Sequence, residues 1–294
     1  SQFKMDKVIN LGIPHVGELI FESIDTPGLI KCLEVSDAWK VLAENVLIKR
    51  WRGKMLEACK SGETKILQLL LERCNVEESE LNSKDENGAT ALMWACLNGH
   101  KGVVQLLLDH SERIDLNART KSGWTAFISA CENGHKGVVQ LLLDRSKRID
   151  LNARTKSGRT AFISACENGH KDVVQLLLNH SEPNIDLNTR NIYGWTALMC
   201  ACGMGHKDVV KLLLNHFKRI NLNARSDRGC SAFMFACENG HKDVVQLLLD
   251  HSESSIELNS RDVWKKTPFF IACENGHKDV VQLLLDHSER IELN

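Results

Sequence analysis

The dipeptide Gly-His recurs with its histidine at His100, His135, His170, His206, His241 and His277, in steps of 35, 35, 36, 35 and 36 residues. So constant a period implies one small supersecondary unit per repeat. Such a unit cannot bury its own apolar face and is stable only against its neighbours. One copy of the phrase starts Gly123-Trp124-Thr125-Ala126-Phe127-Ile128-Ser129-Ala130-Cys131-Glu132-Asn133-Gly134-His135 and continues Lys136-Gly137-Val138-Val139-Gln140-Leu141-Leu142-Leu143.

Each part has a physical role. Gly123 permits the positive φ of a tight turn. Thr125 can cap a helix, and in the last copy Pro268 takes the first helical position behind Thr267. Phe127, Ala130 and Cys131 share a stripe on a short first helix, which Gly134 ends in a left-handed cap. Val138, Val139 and the leucine triplet predict a second helix apolar around much of its girth. Asp172, Asp208, Asp243 and Asp279 fall in that helix's first turn, where the dipole favours an acid. A polar return loop such as 144–150 closes the unit.

These residues resemble the ankyrin repeat, whose phrase is Gly-x-Thr-Pro-Leu-His, Ala-Ala, Gly-His and Val-Val-x-Leu-Leu-Leu. The resemblance implies an all-α solenoid of helix-turn-helix units with hairpin turns. It extends over residues 52–294, a degenerate capping repeat at 52–84 followed by about six repeats. The family's proline is alanine in five copies. Its histidine is Met93, Ile128, Ile163, Met199, Met234 or Phe270, so apolar packing is expected in place of a polar bridge. Lys265 stands where the turn glycine belongs, which predicts a strained or reshaped hairpin. The chain begins at Ser1 and stops inside a repeated phrase, as a piece of a longer protein would.

Composition excludes several classes. Lys plus Arg is 37 and Asp plus Glu is 38, and a net charge of −1 gives no general pull toward nucleic acid or acidic lipid. No run of about 18 apolar residues is present to span a membrane, and the N-terminus lacks the apolar core of a secretory signal. Seven of the eleven cysteines, Cys59, Cys96, Cys131, Cys166, Cys202, Cys237 and Cys273, share the slot after alanine, where cysteine is a small buried apolar residue. Without a CxxC pair, neither disulfides nor zinc are expected, and a reducing, cytoplasmic or nuclear setting fits. Eleven of the twelve histidines fall in periodic slots, and only His15 does not. No nucleophile with its base and no phosphate loop is present, so neither catalysis nor a cofactor is expected.

What varies inside a repeating frame is informative. The slot after the turn glycine holds Ala89, Trp124, Arg159, Trp195, Cys230 and Lys266, and the residues before it include Lys121, Ile192, Tyr193 and Trp264. In ankyrin arrays this strip lines the concave face. Lys121, Trp124, Arg159, Ile192, Tyr193, Trp195 and Trp264 are therefore the candidate target contacts, with the rings exposed at the tips. Otherwise the tryptophans pack on neighbouring hairpins, and the return loop at 182–184 becomes the next place to look.

Residues 1–51 do not repeat. Pro14 and Pro27 mark helix starts, and Leu29, Cys32, Val35, Trp39 and Leu42 are expected to line one helical face. Three short helices are too few to bury a core alone, so a helical cap for the solenoid is one reading. The segment also resembles the F-box, with its Leu-Pro, Ile-Phe, Leu, Cys, Val-Ser, Trp and Leu-Ala pattern. It departs from that pattern at Glu18, Asp37 and Lys49. The resemblance implies docking of a Skp-type adaptor of a cullin–RING ubiquitin ligase through Pro14, Ile20, Phe21, Leu29, Val35 and Trp39. No Gly/Ser/Pro linker separates the two parts, so they should be rigidly joined.

The expectation is a three-helix F-box-like segment at 1–51 and a repeat array at 52–294. The chain would act as a non-catalytic substrate-recognition subunit, monomeric outside its complexes, with an unidentified protein target. The alternative is an ankyrin scaffold or inhibitor with no ubiquitin role. An enzyme would need chemistry in segments absent from this sequence.

Overall fold

The computed structural model describes residues 19–180, 185–251 and 256–293. Pro14 and the loop at 182–184 lie outside them. Among the described residues the regular elements are helical, with one isolated antiparallel bridge between Lys84 and Thr90. The chain divides into two compact units, residues 1–115 and 116–294.

The first unit holds a helical turn at 19–22, then α1 (Thr26–Cys32), α2 (Asp37–Trp51), α3 (Met55–Ser61), α4 (Thr64–Arg73), α5 (Glu78–Leu81), α6 (Ala91–Leu97) and α7 (Lys101–Asp109). Asp25 caps α1 by accepting the Gly28 N–H at 2.9 Å, with Pro27 in the first turn. Ser36 caps α2 by accepting from the Trp39 N–H. That cap corrects the single-face expectation. It starts a second helix between Val35 and Trp39, so the five apolar residues belong to two helices and the turn between them.

Phe21, Leu29 and Trp39 point inward. The Trp39 ring meets Phe21 edge-on with centroids 5.5 Å apart, and both share a core with Ala58, Ile66, Leu69 and Leu70 of α3 and α4. Arg50 donates to the Ile24 carbonyl at 2.9 Å, and Arg73 pairs with Glu44 at 3.2 Å. The N-terminal helices therefore close their core on the first repeat.

The second unit stacks five repeats. Its inner helices are α8 (Ala126–Glu132), α10 (Ala161–Glu167), α12 (Ala197–Gly203), α14 (Ala232–Glu238) and α16 (Pro268–Glu274). Its outer helices are α9 (Lys136–Leu143), α11 (Lys171–Asn179), α13 (Lys207–Leu214), α15 (Lys242–Asp250) and α17 (Lys278–Asp286). Thr125, Thr160, Thr196, Ser231 and Thr267 each cap an inner helix through the hydroxyl, as the sequence predicts. In α9, Val138, Val139, Leu142 and Leu143 are buried, but Leu141 is only half-buried and Gln140 faces solvent. The outer helices are thus amphipathic rather than apolar around their girth, because nothing covers their outer side.

Three ladders join neighbouring repeats. Tip backbones bond directly, as where the Ile192 N–H donates to the Ser157 carbonyl at 3.1 Å and the Asp227 N–H to the Tyr193 carbonyl at 3.1 Å. In this unit the imidazoles of His170, His206, His241 and His277 reach back one repeat: His206 Nε2 lies 2.9 Å from the Glu167 carbonyl and His241 Nε2 lies 2.8 Å from the Gly203 carbonyl. In the return loops Asn188 donates to the Arg219 carbonyl at 2.9 Å and accepts the Asn221 N–H at 2.7 Å, and Asn259 repeats this with Arg290 and Glu292. With the apolar substitutes for the family histidine mostly buried, the polar bridging falls to these ladders and to arginine and ion-pair contacts such as Arg154 to the Arg190 carbonyl and Arg190 to Asp227. Met199 and Met234 are fully interior, whereas Phe270 of the last repeat is exposed.

Lys265 takes φ +66°, the one positive value outside glycine among the described residues. Its hairpin keeps the bonds of the others: the Lys265 N–H donates to the Asp262 carbonyl at 3.0 Å, as the Gly194 N–H does to Asn191. The tip is strained rather than reshaped, at a cost of about 1–2 kcal/mol for a side chain in the left-handed region.

Candidate protein-binding groove

Trp195 is the centre of the site. It follows the turn glycine of its repeat, and its N–H is held at 3.0 Å by the Asn191 side chain. Its ring lies between Tyr193, 5.5 Å away, and Phe235 of the next inner helix, 5.1 Å away and edge-on. On one side the ring walls a shallow notch with Ile192, Tyr193 and Arg228. On the other it opens into a groove of about 420 Å³ that crosses α12, α14 and α16. Met199, Cys200, Phe235 and Ile271 lie along the groove, and Trp264 stands at its edge with the Arg228 guanidinium 5.9 Å from the ring centroid.

Four of the seven residues expected to contact a target therefore meet here: Ile192, Tyr193, Trp195 and Trp264. Tyr193 and Trp264 are 58% and 60% exposed, far more than structural packing requires. Trp195 and Trp124 are half-buried, which corrects the expectation of rings standing free. The tip turn folds Trp195 down onto the neighbouring helix. Lys121 and Trp124 sit two repeats from Trp195, Lys121 exposed at its tip, and they do not line the groove. Arg159 is not a free cation. It donates to Glu167 at 2.8 Å and lies 3.9 Å from Glu132.

The rim is acidic. Glu167, Glu238 and Glu274 reach it from the ends of α10, α14 and α16. Burial raises the Glu167 carboxyl above its ordinary value, with Arg159 opposing and the Glu132 charge adding to the rise.

The inner-helix residues were not singled out by the sequence reading, yet the signal existed. The position three after the first helical residue runs Trp94, Ser129, Ser164, Cys200, Phe235 and Ile271 while the frame around it repeats. The first unit shows the same slot in use. Trp94 donates its indole N–H to Asp85 at 2.9 Å, and the Lys60 ammonium stands 4.2 Å from the ring centroid.

The residues given an adaptor role divide by burial. Phe21, Leu29 and Trp39 are interior, not at an interface, because they close the core against α3 and α4. Ile20 and Val35 are half-buried. Leu19 and Val41, which the pattern did not single out, are the exposed large apolar residues among the described residues of this segment.

Cysteine burial follows the slot, with one correction. Cys59, Cys96, Cys131, Cys166, Cys202 and Cys237 are buried, but Cys273 is exposed, as the last described inner helix has no neighbour on that side. Burial pushes the Cys59 and Cys200 thiols up to about 12. Among the described residues no cluster of three His, Cys, Asp or Glu could hold a metal, and no helix is long and apolar enough to cross a membrane.

Helix-turn-helix units in register, tied by tip, histidine and asparagine ladders and carrying an open aromatic groove, define a helical-repeat solenoid of the protein-binding class. The family model described as "Ankyrin repeats (3 copies)" matches residues 55–155, 147–225 and 218–294, most of the chain. The chain belongs to the ankyrin-repeat family, whose members are generally non-catalytic binding modules. Comparison with curated proteins gives no match.

Proposed function

We propose that the chain is a non-catalytic adaptor that holds a segment of a target protein in the groove around Trp195, and that its N-terminal helices dock a Skp-type adaptor of a cullin–RING ubiquitin ligase. The observation that carries the first half is the aromatic and apolar strip, from exposed Tyr193 through half-buried Trp195 and Phe235 to exposed Trp264, spanning three repeats. Aromatic anchors in a concave surface with a polar rim are what a protein interface offers. Lys121, Trp124 and Arg159 extend the same strip toward earlier repeats. The second half rests on the F-box resemblance and on apolar surface at Leu19, Ile20, Val35 and Val41.

A scaffold or inhibitor without a ubiquitin role is the second reading. The burial of Phe21, Leu29 and Trp39 against the first repeat favours it, since that is what a terminal cap does. Co-expression with a Skp-type adaptor separates the two. Co-purification that Val41→Asp abolishes supports the ligase role, because Val41 is exposed and its replacement leaves the core intact. Absence of co-purification, with target binding retained, leaves the scaffold.

A further inference from the structure

The acidic side chains of the groove have more capacity for positive charge than the chain supplies. Glu132 and Glu167 share one guanidinium. Arg159 Nη2 is 2.8 Å from Glu167 Oε1, and Nη1 is 3.9 Å from Glu132 Oε1. The second oxygen of each carboxylate, Glu132 Oε2 and Glu167 Oε2, is buried with no hydrogen-bond partner. A buried acceptor without a donor is destabilising, the more so when charged. Farther along, the Lys266 ammonium is engaged by both oxygens of Glu274, at 2.7 and 2.6 Å. Asp262 is occupied by the turn, accepting the N–H groups of Trp264 and Lys266 at 2.9 and 2.8 Å. Glu238 is exposed and has no ion pair, and Arg228 stacks toward Trp264. The groove lining itself, with Glu167, Glu238, Asp262 and Glu274 against Arg228 and Lys266, carries a net charge of −2.

We propose that the groove recognises a partner segment carrying lysine or arginine side chains, with an apolar neighbour seated beside Trp195 and Phe235. This rests on the reading of the groove as the target site and adds the chemistry of the target. The partner's cation supplies donors to Glu238 and to Glu167 at the rim of the groove. Its aliphatic stem lies along the aromatic wall, as long basic side chains do. An acidic segment is rejected, since its charge meets a rim that already carries excess negative charge.

The test is selection of random peptides of about twelve residues, displayed on phage, against the whole chain. The enriched peptides are synthesised and titrated by tryptophan fluorescence. The expected outcome is a net positive consensus with lysine or arginine next to an apolar residue. Affinity should fall on the order of tenfold in Glu238→Gln and again in Glu167→Gln, as loss of a charge-assisted contact gives. It should also fall steeply between about 0.05 and 0.5 M salt. Peptides that need Trp195 but are neutral or acidic overturn the cationic inference and leave the groove standing. Peptides that bind a folded Trp195→Ala variant unchanged, or no enrichment at all, overturn both. Glu238 is at the surface, so its variant keeps the test readable if Trp195→Ala is unstable.

Discussion

Gly205→Ala probes what holds one repeat on the next. Gly205 has φ +73°, and a Cβ built on it would stand 2.6 Å from His241 Nδ1 and 2.8 Å from Cε1. The imidazole has to move, and with it the Nε2–H that donates to the Gly203 carbonyl at 2.8 Å. Alanine in the left-handed region costs about 1–2 kcal/mol. The lost hydrogen bond costs about 0.5–1.5 kcal/mol. Stiffening the unfolded chain returns about 0.4–1 kcal/mol. The net expectation is a loss of about 2 kcal/mol, read by urea unfolding with far-UV circular dichroism at unchanged m-value. A double-mutant cycle with His241→Ala isolates the cause. Both single changes break the same bond, so the double variant should fall short of their sum by about 1 kcal/mol. Strict additivity, or a Gly205→Ala loss below about 0.5 kcal/mol, refutes the reasoning.

Trp39→Ala should destabilise the first unit by about 3–5 kcal/mol in urea melts, because the ring is core against Phe21 and α4; an unshifted melt would return Trp39 to the surface. Glu167→Gln should raise the melting temperature at pH 7. The folded-state carboxyl titrates above its ordinary 4.5, so the native state is relieved of an ionisation penalty only while the group is protonated. Stability is full below the unfolded pKa and declines as pH rises through the folded one. The gain should therefore vanish in melts below pH 4.5, and a gain independent of pH contradicts the assignment. Native thiol labelling should modify Cys273 and the half-buried Cys74 quickly and the nine buried cysteines slowly; fast uptake at all eleven would show an open solenoid.

The frame of the fold was legible because the same local rules repeat. Hydroxyl cap, alanine-cysteine stripe and Gly-His each do one physical job in all six copies, and the turn glycine does so in five, with Lys265 in the sixth. The asparagine ladder was equally periodic, in the Leu-Asn of every return loop, but its purpose appears only when Asn188 is placed opposite Arg219 and Asn221. The groove was half legible. Its tip residues stood out by their chemistry. Its inner-helix residues, Met199, Cys200, Phe235 and Ile271, read as core because they share a helix with buried alanines. The pairing of Glu132 with Glu167 through Arg159 was hidden by distance, since residues about 35 positions apart become neighbours only once the repeats stack. At the N-terminus a helical period carried through Ser36 joined two helices into one face, although Ser36-Asp37 is itself a helix start.

Site-specific photo-crosslinking tests the groove as the recognition surface most directly. Met204 is exposed at the groove, and Lys211 is exposed on the outer helix of the same repeat. Each is replaced in turn by benzoylphenylalanine, and the whole chain is irradiated in cells. Discrete adducts from position 204 that disappear when Trp195→Ala is added to the folded protein, with none from position 211, are the predicted result. Adducts from position 211 alone, or adducts from 204 that persist without the Trp195 ring, would place recognition elsewhere on the solenoid.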